Sequence, residues 1–239
     1  MTVLVGVLCK GGVVIGADSS ATFAGAVPTI EQPTKKIEII SEKVIVAGTG
    51  QVGLGQRFNG HVEAMWSNNS FKKTRPSVEI MTELCSKAVN DFAATKVEKG
   101  QFGALVAFPS GKGAQLCEFA VRDLQPELKT ERMWFVSMGS GQAIADPFLG
   151  LLRRVFWKDT QPKLNEGIFA VAWALQNTID LNTGGIKGPP KIAVLSESGA
   201  TFVDDDQLAE HLDNIQGAED YLSKYVSSLA GQGGKELPV

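Results

Sequence analysis

Histidine is nearly absent from this chain of 239 residues, which contains only His61 and His211. Both histidines lie in segments with helical spacing, and the sequence has no G-x-S-x-G motif. A serine–histidine–acid triad therefore has no support in the sequence. The H-x-E pattern that starts at His61 has no cysteine or further histidine beside it to complete a zinc site. We expect neither a metal nor any other cofactor.

Cysteine is scarce as well. The three cysteines, Cys9, Cys85 and Cys117, are an odd number, lie in apolar patterns and show no C-x-x-C spacing. Disulfide frameworks and zinc sites use even or clustered sets of cysteines. We therefore expect buried thiols of an intracellular protein rather than disulfide bridges or metal ligands.

The chain also lacks a basic surface and a long apolar run. Its formal net charge is -3, and its lysines and arginines are scattered, so we expect no nucleic-acid partner. No segment approaches the roughly 20 apolar residues that span a bilayer, so we expect no membrane association. No basic segment precedes an apolar run at the start, which predicts the absence of a signal peptide and a cytoplasmic location.

Hydrophobic residues make up 44% of the sequence, and their spacing predicts an α+β fold. Strand-like runs and amphipathic helical segments come in groups rather than in βαβ alternation. This order fits two antiparallel sheets packed face to face, with helices outside both. Strands are predicted at 2–9, 13–18, 35–40, 43–48, 104–108, 114–121, 132–137, 191–196 and 200–203, and helices at 51–67, 77–98, about 142–157, 164–181 and 218–230. The apolar faces predicted for the first two helices consist of Val52, Phe58, Val62, Met65 and Trp66, and of Ile80, Met81, Leu84, Cys85, Ala88 and Phe92. We expect one domain over 2–213 and a helical extension and tail over 214–239.

One literal motif match points to a function that the context does not support. The segment "GTGQVG", from Gly48 to Gly53, satisfies G-x-G-x-x-G, follows a predicted strand and opens a predicted helix. A dinucleotide site also needs a parallel strand after that helix, whereas a second helix follows here. The glycines still place backbone N–H groups at a strand-to-helix junction, where they can hold an oxyanion.

The first two predicted strands bring Asp18 back to the start of the chain. A three-residue turn would place Asp18 opposite Thr2, whereas a two-residue turn would place Ser19 opposite Thr2 and turn Asp18 to the other face. The sequence leaves both registers open. A buried carboxylate needs a cation, and the candidates are Lys36, at the head of the third predicted strand, and its neighbour Lys35.

Six segments now stand in one order along the chain: Thr2, "GGVVIGADSSAT", "KKIEII", "VIVAGTG", "SMGSG" and "DLNTGG". In this order and spacing the chain resembles the proteasome β-subunit family over residues 2 to about 213. The resemblance is closest to bacterial members of the family, typified by HslV and Anbu and including a betaproteobacterial homologue. It implies a four-layer αββα N-terminal-nucleophile hydrolase, a homo-oligomer in stacked rings, and peptide or unfolded protein as substrate. An ATPase or other activator ring is a further possible partner.

The resemblance also assigns catalytic positions. Thr2 would be the nucleophile once Met1 is removed, Asp18 and Lys36 match the family's acid and lysine, and the Gly48 N–H matches the oxyanion donor. The chemistry is sound on its own terms, because a free α-amine has a pKa of roughly 7.7–8.0 and can act as the base for its own hydroxyl. With Met1 retained, that amine is an amide and no base.

Further residues match the polar group around the terminal amine and the substrate strands. Ser140, Asp180 and Thr183 correspond to the polar group. The positions that match substrate-binding residues are Ala21, Thr22, Val46, Gly48 and Gly50. Val46 would line the first specificity pocket and favour apolar side chains.

The chain departs from the family pattern at two places. Ser20 stands where many members have arginine, although HslV-like members also lack arginine there. The segment from Ala218 extends beyond an HslV-like end. Two other functions stay open at this point: a ring that acts as a scaffold with little proteolysis, and an N-terminal-nucleophile amidase for a small substrate.

Overall fold

A computed structural model describes residues 1–24, 28–33, 35–98, 100–158, 160–181 and 185–230, without the side chains of 21–24, 28–33 and 230. The chain forms two compact units, Met1–Val203 and Asp204–Val239. The second unit contains one continuous helix that runs across position 213, where the sequence predicts a boundary.

Strands and helices follow each other in groups along the described part of the chain. The strands are β1 (Leu4–Cys9), β2 (Gly12–Ala17), β3 (Ser20–Ala24), β4 (Pro28–Pro33), β5 (Ile37–Ile40), β6 (Val44–Gly50), β7 (Phe102–Ser110), β8 (Gly113–Phe119), β9 (Pro126–Leu128), β10 (Phe135–Met138), β11 (Lys191–Ser196) and β12 (Gly199–Phe202). The helices are α1 (Val52–Ser67), α2 (Ser77–Ala94), α3 (Gln142–Leu152), α4 (Leu164–Leu181) and α5 (Asp205–Ala230), and a π-helical turn (Arg153–Trp157) continues α3.

The first unit has four layers. One sheet has the strand order β10-β1-β2-β11-β12 and the other β5-β6-β7-β8-β9, and neighbouring strands in both are antiparallel. Helices α3 and α4 cover the first sheet, and α1 and α2 cover the second. The two sheets meet where Gly6 of β1 comes so close to Leu105 and Leu116 that an added Cβ would lie 3.1 and 3.2 Å from their side chains. The predicted α+β arrangement of two antiparallel sheets between helices is confirmed.

The turn between β1 and β2 has two residues, Lys10 and Gly11. Cys9 pairs with Gly12, and Gly11 takes a positive φ of 89°, a conformation that glycine adopts without steric cost. Of the two registers that the sequence leaves open, the structure therefore has the one with Ser19 opposite Thr2. This register decides which side chains reach the start of β1.

The second core lies between the β5–β9 sheet and helices α1 and α2. All six residues predicted for the apolar face of α2 are buried there: Ile80, Met81, Leu84, Cys85, Ala88 and Phe92. On α1 the prediction for Val52 is wrong, because this first helical residue is 47% exposed and Leu54 occupies the core instead. The cysteines are free and buried, and burial raises the pKa of the Cys9 thiol to about 12.

The sequence pattern also missed strands. Within the described residues, six strands precede α1 rather than four, because β3 and β4 form a separate two-stranded sheet. Proline opens and closes β4, and proline cannot donate to a strand ladder, so the segment does not read as a strand. The short β9, at the edge of the second sheet, was missed as well.

The close packing of α4 on β2 can be tested at Gly16. A Cβ built there would lie 2.7 Å from Leu175 Cδ1 and closer still to Val171 Cγ1. We predict that Gly16→Ala lowers the free energy of unfolding by about 1–3 kcal/mol, the usual cost of overpacking. Gly60→Ala is the matched control, because Gly60 lies in α1 with no atom near the added Cβ, and it should raise stability by up to about 1 kcal/mol. Urea unfolding of both variants measures this; equal effects of the same sign would contradict the packing.

Candidate active site

The start of the chain lies between two strands before β1 begins. β1 pairs with β2 on one side and with β10 on the other. Extending these registers toward residue 1 places Thr2 opposite Ser19 on one side and opposite Ser140 on the other. Val3 faces Asp18: the Val3 N–H donates to Asp18 Oδ1 at 2.9 Å, and the Asp18 N–H donates to the Val3 carbonyl at 3.3 Å. The backbone of Thr2 and Val3 is thus held from both sides.

Asp18 and Lys36 form a buried ion pair beside Thr2. Lys36 Nζ lies 2.7 Å from both carboxylate oxygens of Asp18, and 5% of the Lys36 side chain and 0% of the Asp18 side chain are exposed. Asp18 follows β2 of the first sheet and Lys36 precedes β5 of the second, so the pair joins the two sheets. Lys35, the other candidate cation, is exposed and pairs with Glu38 instead.

Lys36 also contacts the residue that precedes Thr2. Its ammonium group donates to the Met1 carbonyl oxygen at 3.1 Å. Burial lowers the pKa of Lys36, although Asp18 opposes this shift. Burial and the Lys36 charge likewise lower the pKa of the Met1 amine, again with Asp18 in opposition. Burial thus favours the neutral form of both nitrogens more than water does, and the Asp18 charge favours the protonated form.

The turn between β10 and α3 holds the other side of Thr2. The Thr2 N–H donates to Ser140 Oγ at 3.1 Å, and the Gly141 N–H donates to the Thr2 carbonyl oxygen at 3.1 Å. Gly139 has a φ of 92°, and an added Cβ would overlap the Thr2 carbonyl oxygen. The sequence analysis predicts Ser140 as a site residue but not Gly139 or Gly141. The glycine on each side of the serine is the signal that could have identified these two.

The amide of Gly48, the candidate oxyanion donor, is already engaged in the sheet. The Gly48 N–H donates to the Lys36 carbonyl oxygen at 3.1 Å, continuing the β5–β6 ladder. An oxyanion would have to share this donor or displace the carbonyl. Gly50 must be glycine, since its φ is 103° and an added Cβ would overlap the Gln101 carbonyl oxygen.

The structure places the remaining predicted site residues that it describes in the core, in the β3–β4 hairpin and in α4. Val46 is 2% exposed and belongs to the core between β6 and the helices α1 and α2, so it presents no free surface in this state. Ala21 and Thr22 lie in β3, where they pair with β4. Asp180 is exposed and accepts a hydrogen bond from Gln176, one turn earlier in α4, at 2.8 Å. Thr183 lies outside the described residues.

The dinucleotide reading of "GTGQVG" has no structural support. β6, which carries its first glycines, pairs antiparallel with β5 and β7, and α1 is followed by α2 rather than by a parallel strand. Among the described residues, no three histidine, cysteine or acidic side chains come together as a metal site would require. Within the same part of the chain, no helix combines the length and apolarity needed to cross a membrane.

Comparison with known families agrees with this geometry. The family model described as Proteasome subunit matches residues 2–186, which is most of the chain. The chain therefore belongs to the proteasome subunit family, whose fold is that of the N-terminal-nucleophile hydrolases. A comparison with individual curated proteins gave no match.

The buried Asp18–Lys36 pair can be tested through stability. Lys36→Met leaves the Asp18 carboxylate buried without its cation, and we predict a loss of about 3–5 kcal/mol in the free energy of unfolding. Lys35→Met, one residue away but exposed, should change it by less than about 1 kcal/mol. The double variant Asp18→Asn with Lys36→Met should recover part of the loss. Urea unfolding measures the stability of all three variants. Equal losses in Lys36→Met and Lys35→Met would contradict the role of the ion pair.

Proposed function

We propose that this chain is an N-terminal threonine peptidase that works inside a ring assembly. The observation that carries the proposal is the arrangement around Thr2. The buried Asp18–Lys36 ion pair lies on one side, and on the other side the Thr2 N–H donates to Ser140 Oγ. Once Met1 is removed, Thr2 has both a hydroxyl to act as nucleophile and an α-amine to act as its base. Membership of the proteasome subunit family supports the same chemistry.

The reaction begins with removal of Met1, which leaves Thr2 with a free amine. That amine, or a water beside it, takes the proton of the Thr2 hydroxyl while Oγ adds to the substrate carbonyl carbon. Lys36 favours the developing alkoxide electrostatically, and Ser140 orients the amine. The tetrahedral oxyanion needs a donor, for which the Gly48 N–H is the candidate if it exchanges its Lys36 carbonyl partner for the oxyanion.

The second half of the reaction restores the enzyme. The tetrahedral intermediate expels the amine of the leaving peptide, which takes its proton from the Thr2 ammonium group, and an ester remains on Thr2 Oγ. A water molecule then attacks the ester carbonyl with the same amine as base. Hydrolysis releases the new carboxyl terminus and returns the proton to Oγ.

Met1 opposes this reaction in two ways. It converts the Thr2 nitrogen into an amide, which is no base, and its carbonyl oxygen accepts a hydrogen bond from Lys36. We therefore propose that the chain with Met1 attached is inactive. Removal of Met1 frees both the base and one donor of Lys36 at the same time.

Proteasome family members form stacked rings, and we propose the same assembly for this chain. In such a ring the substrate is a peptide or an unfolded protein that enters an inner chamber. Backbone contacts with Ala21, Thr22, Gly48 and Gly50 would hold it extended. Supply of substrate by an ATPase ring and a cytoplasmic location belong to the proposal as well.

A peptidyl epoxyketone tests the nucleophile, because it needs both the threonine hydroxyl and the free amine. We predict that intact mass shows loss of Met1 and then one adduct per chain. Thr2→Ala should give no adduct, since it keeps the amine and loses the hydroxyl. Thr2→Ser is the matched control and should still react, since it retains both groups.

Two outcomes would contradict the peptidase. One is a protein without Met1 that forms no adduct under conditions that label a known proteasome. The other is an adduct that persists in Thr2→Ala, which would place the reactive group elsewhere. If Met1 is retained, Thr2 can be exposed by cleaving an N-terminal fusion, so the chemistry is tested in either case.

Native mass tests the assembly. We predict by light scattering a particle of many copies of the 25.5 kDa chain rather than a monomer. The result also separates the competing functions. A ring without an adduct favours a scaffold, whereas a monomer that reacts at Thr2 favours a small-substrate amidase.

A further inference from the structure

A side-chain hydrogen-bond network braces the turn that carries Ser140. Asp146 of α3 accepts a hydrogen bond on each carboxylate oxygen: Oδ1 from the Ser137 hydroxyl at 2.5 Å and Oδ2 from the Gln142 amide at 3.1 Å. Ser137 is completely buried in β10, and Gln142 is the first residue of α3. The carboxylate thus joins the strand before the turn to the helix after it.

The braced turn is the one that holds Thr2. Its three residues, 139–141, lie between Ser137 and Gln142. From it the Ser140 Oγ accepts the Thr2 N–H and the Gly141 N–H binds the Thr2 carbonyl oxygen. These contacts are made by the backbone and by one short side chain, so their distances depend on how firmly the turn itself is fixed.

We propose that Asp146 is a positioning residue for the N-terminal nucleophile. It acts through the turn: its two hydrogen bonds set the path of residues 139–141, and the turn sets the direction of the Thr2 amine. The inference rests on the proposed function of Thr2 but concerns a residue that does not touch the reacting atoms. It also explains why a carboxylate suits this position, where a hydroxyl and an amide donate to it.

An ionised carboxylate is suited to this role because it offers acceptor oxygens on both sides. An asparagine has the same shape but only one acceptor oxygen, since its other terminal group donates. Asp146→Asn therefore cannot accept from both Ser137 and Gln142. Ser137→Ala removes the buried donor and leaves one carboxylate oxygen without it, so it should act in the same direction.

The experiment uses the full chain with Thr2 exposed and the epoxyketone as probe. We expect Asp146→Asn to lower the maximal rate of adduct formation by about 10- to 100-fold, the scale of a misplaced reacting group, while the half-saturating probe concentration changes less than about twofold. Ser110→Ala is the matched control: it removes a buried hydroxyl that donates within the distant β7–β8 turn, to Gly113 O at 2.9 Å, and should leave the rate unchanged.

A double-mutant cycle separates positioning from general destabilisation. If Asp146 acts through the turn, Asp146→Asn should have a smaller effect on the rate in a Ser140→Ala background, where only the Gly141 contact with Thr2 remains. Equal effects in both backgrounds, or an unchanged rate in Asp146→Asn with the wild type reactive, would overturn the inference.

Hydrogen exchange tests the brace without any reaction. In Asp146→Asn we expect faster amide exchange in the peptide that covers residues 138–144, where the Gly141 N–H is bonded to Thr2, and unchanged exchange there in Ser110→Ala. A wild type that forms no adduct refutes the proposed peptidase, and this exchange result still decides the inference. Unchanged exchange in Asp146→Asn overturns it.

Discussion

The ion pair between Asp18 and Lys36 is the constraint on which the site depends. Two charges that are almost fully buried are stable only when each satisfies the other, and Lys36 Nζ lies 2.7 Å from both oxygens of Asp18. Because the two residues come from different sheets, the pair also fixes how the ends of β2 and β5 lie relative to each other. One oxygen of Asp18 additionally holds the Val3 N–H, which ties the start of the chain to the same point.

The strand register determines which residues lie beside this ion pair. β1 lies between β2 and β10, so its first residues have a neighbour on each side, and a slip of one residue would turn Asp18 away from Val3 and Ser140 away from Thr2. The two-residue turn at Lys10 and Gly11 sets one register. On the other side, the turn after β10 lies against the start of the chain, with glycines where a side chain would overlap Thr2 or Val3. The glycines of these turns therefore position the start of the chain together with the charged residues Asp18 and Lys36.

Sequence patterns predict what periodicity encodes and miss what depends on distant partners. The apolar face of α2 is right at every position, because packing on one side of a helix leaves a period that can be read. The choice of Lys36 over Lys35 depends on Asp18 in the opposite sheet, and the burial of Val46 depends on the helices α1 and α2, so no local pattern contains either. The β3–β4 hairpin was missed for a local reason, since prolines at both ends of β4 conceal a strand.

The geometry around Thr2 also shows how the proposed peptidase would fold before Met1 is removed. The contacts that hold Val3, Asp18 and Lys36 do not involve the Thr2 amine, so they are complete while Met1 is attached. In the proposed mechanism, Met1 blocks only the nitrogen that becomes the base and one hydrogen bond of Lys36. Its removal would then change the reactivity of a site whose framework already exists. Under this proposal folding and activation are separate steps, with the buried ion pair belonging to the first and the free threonine to the second.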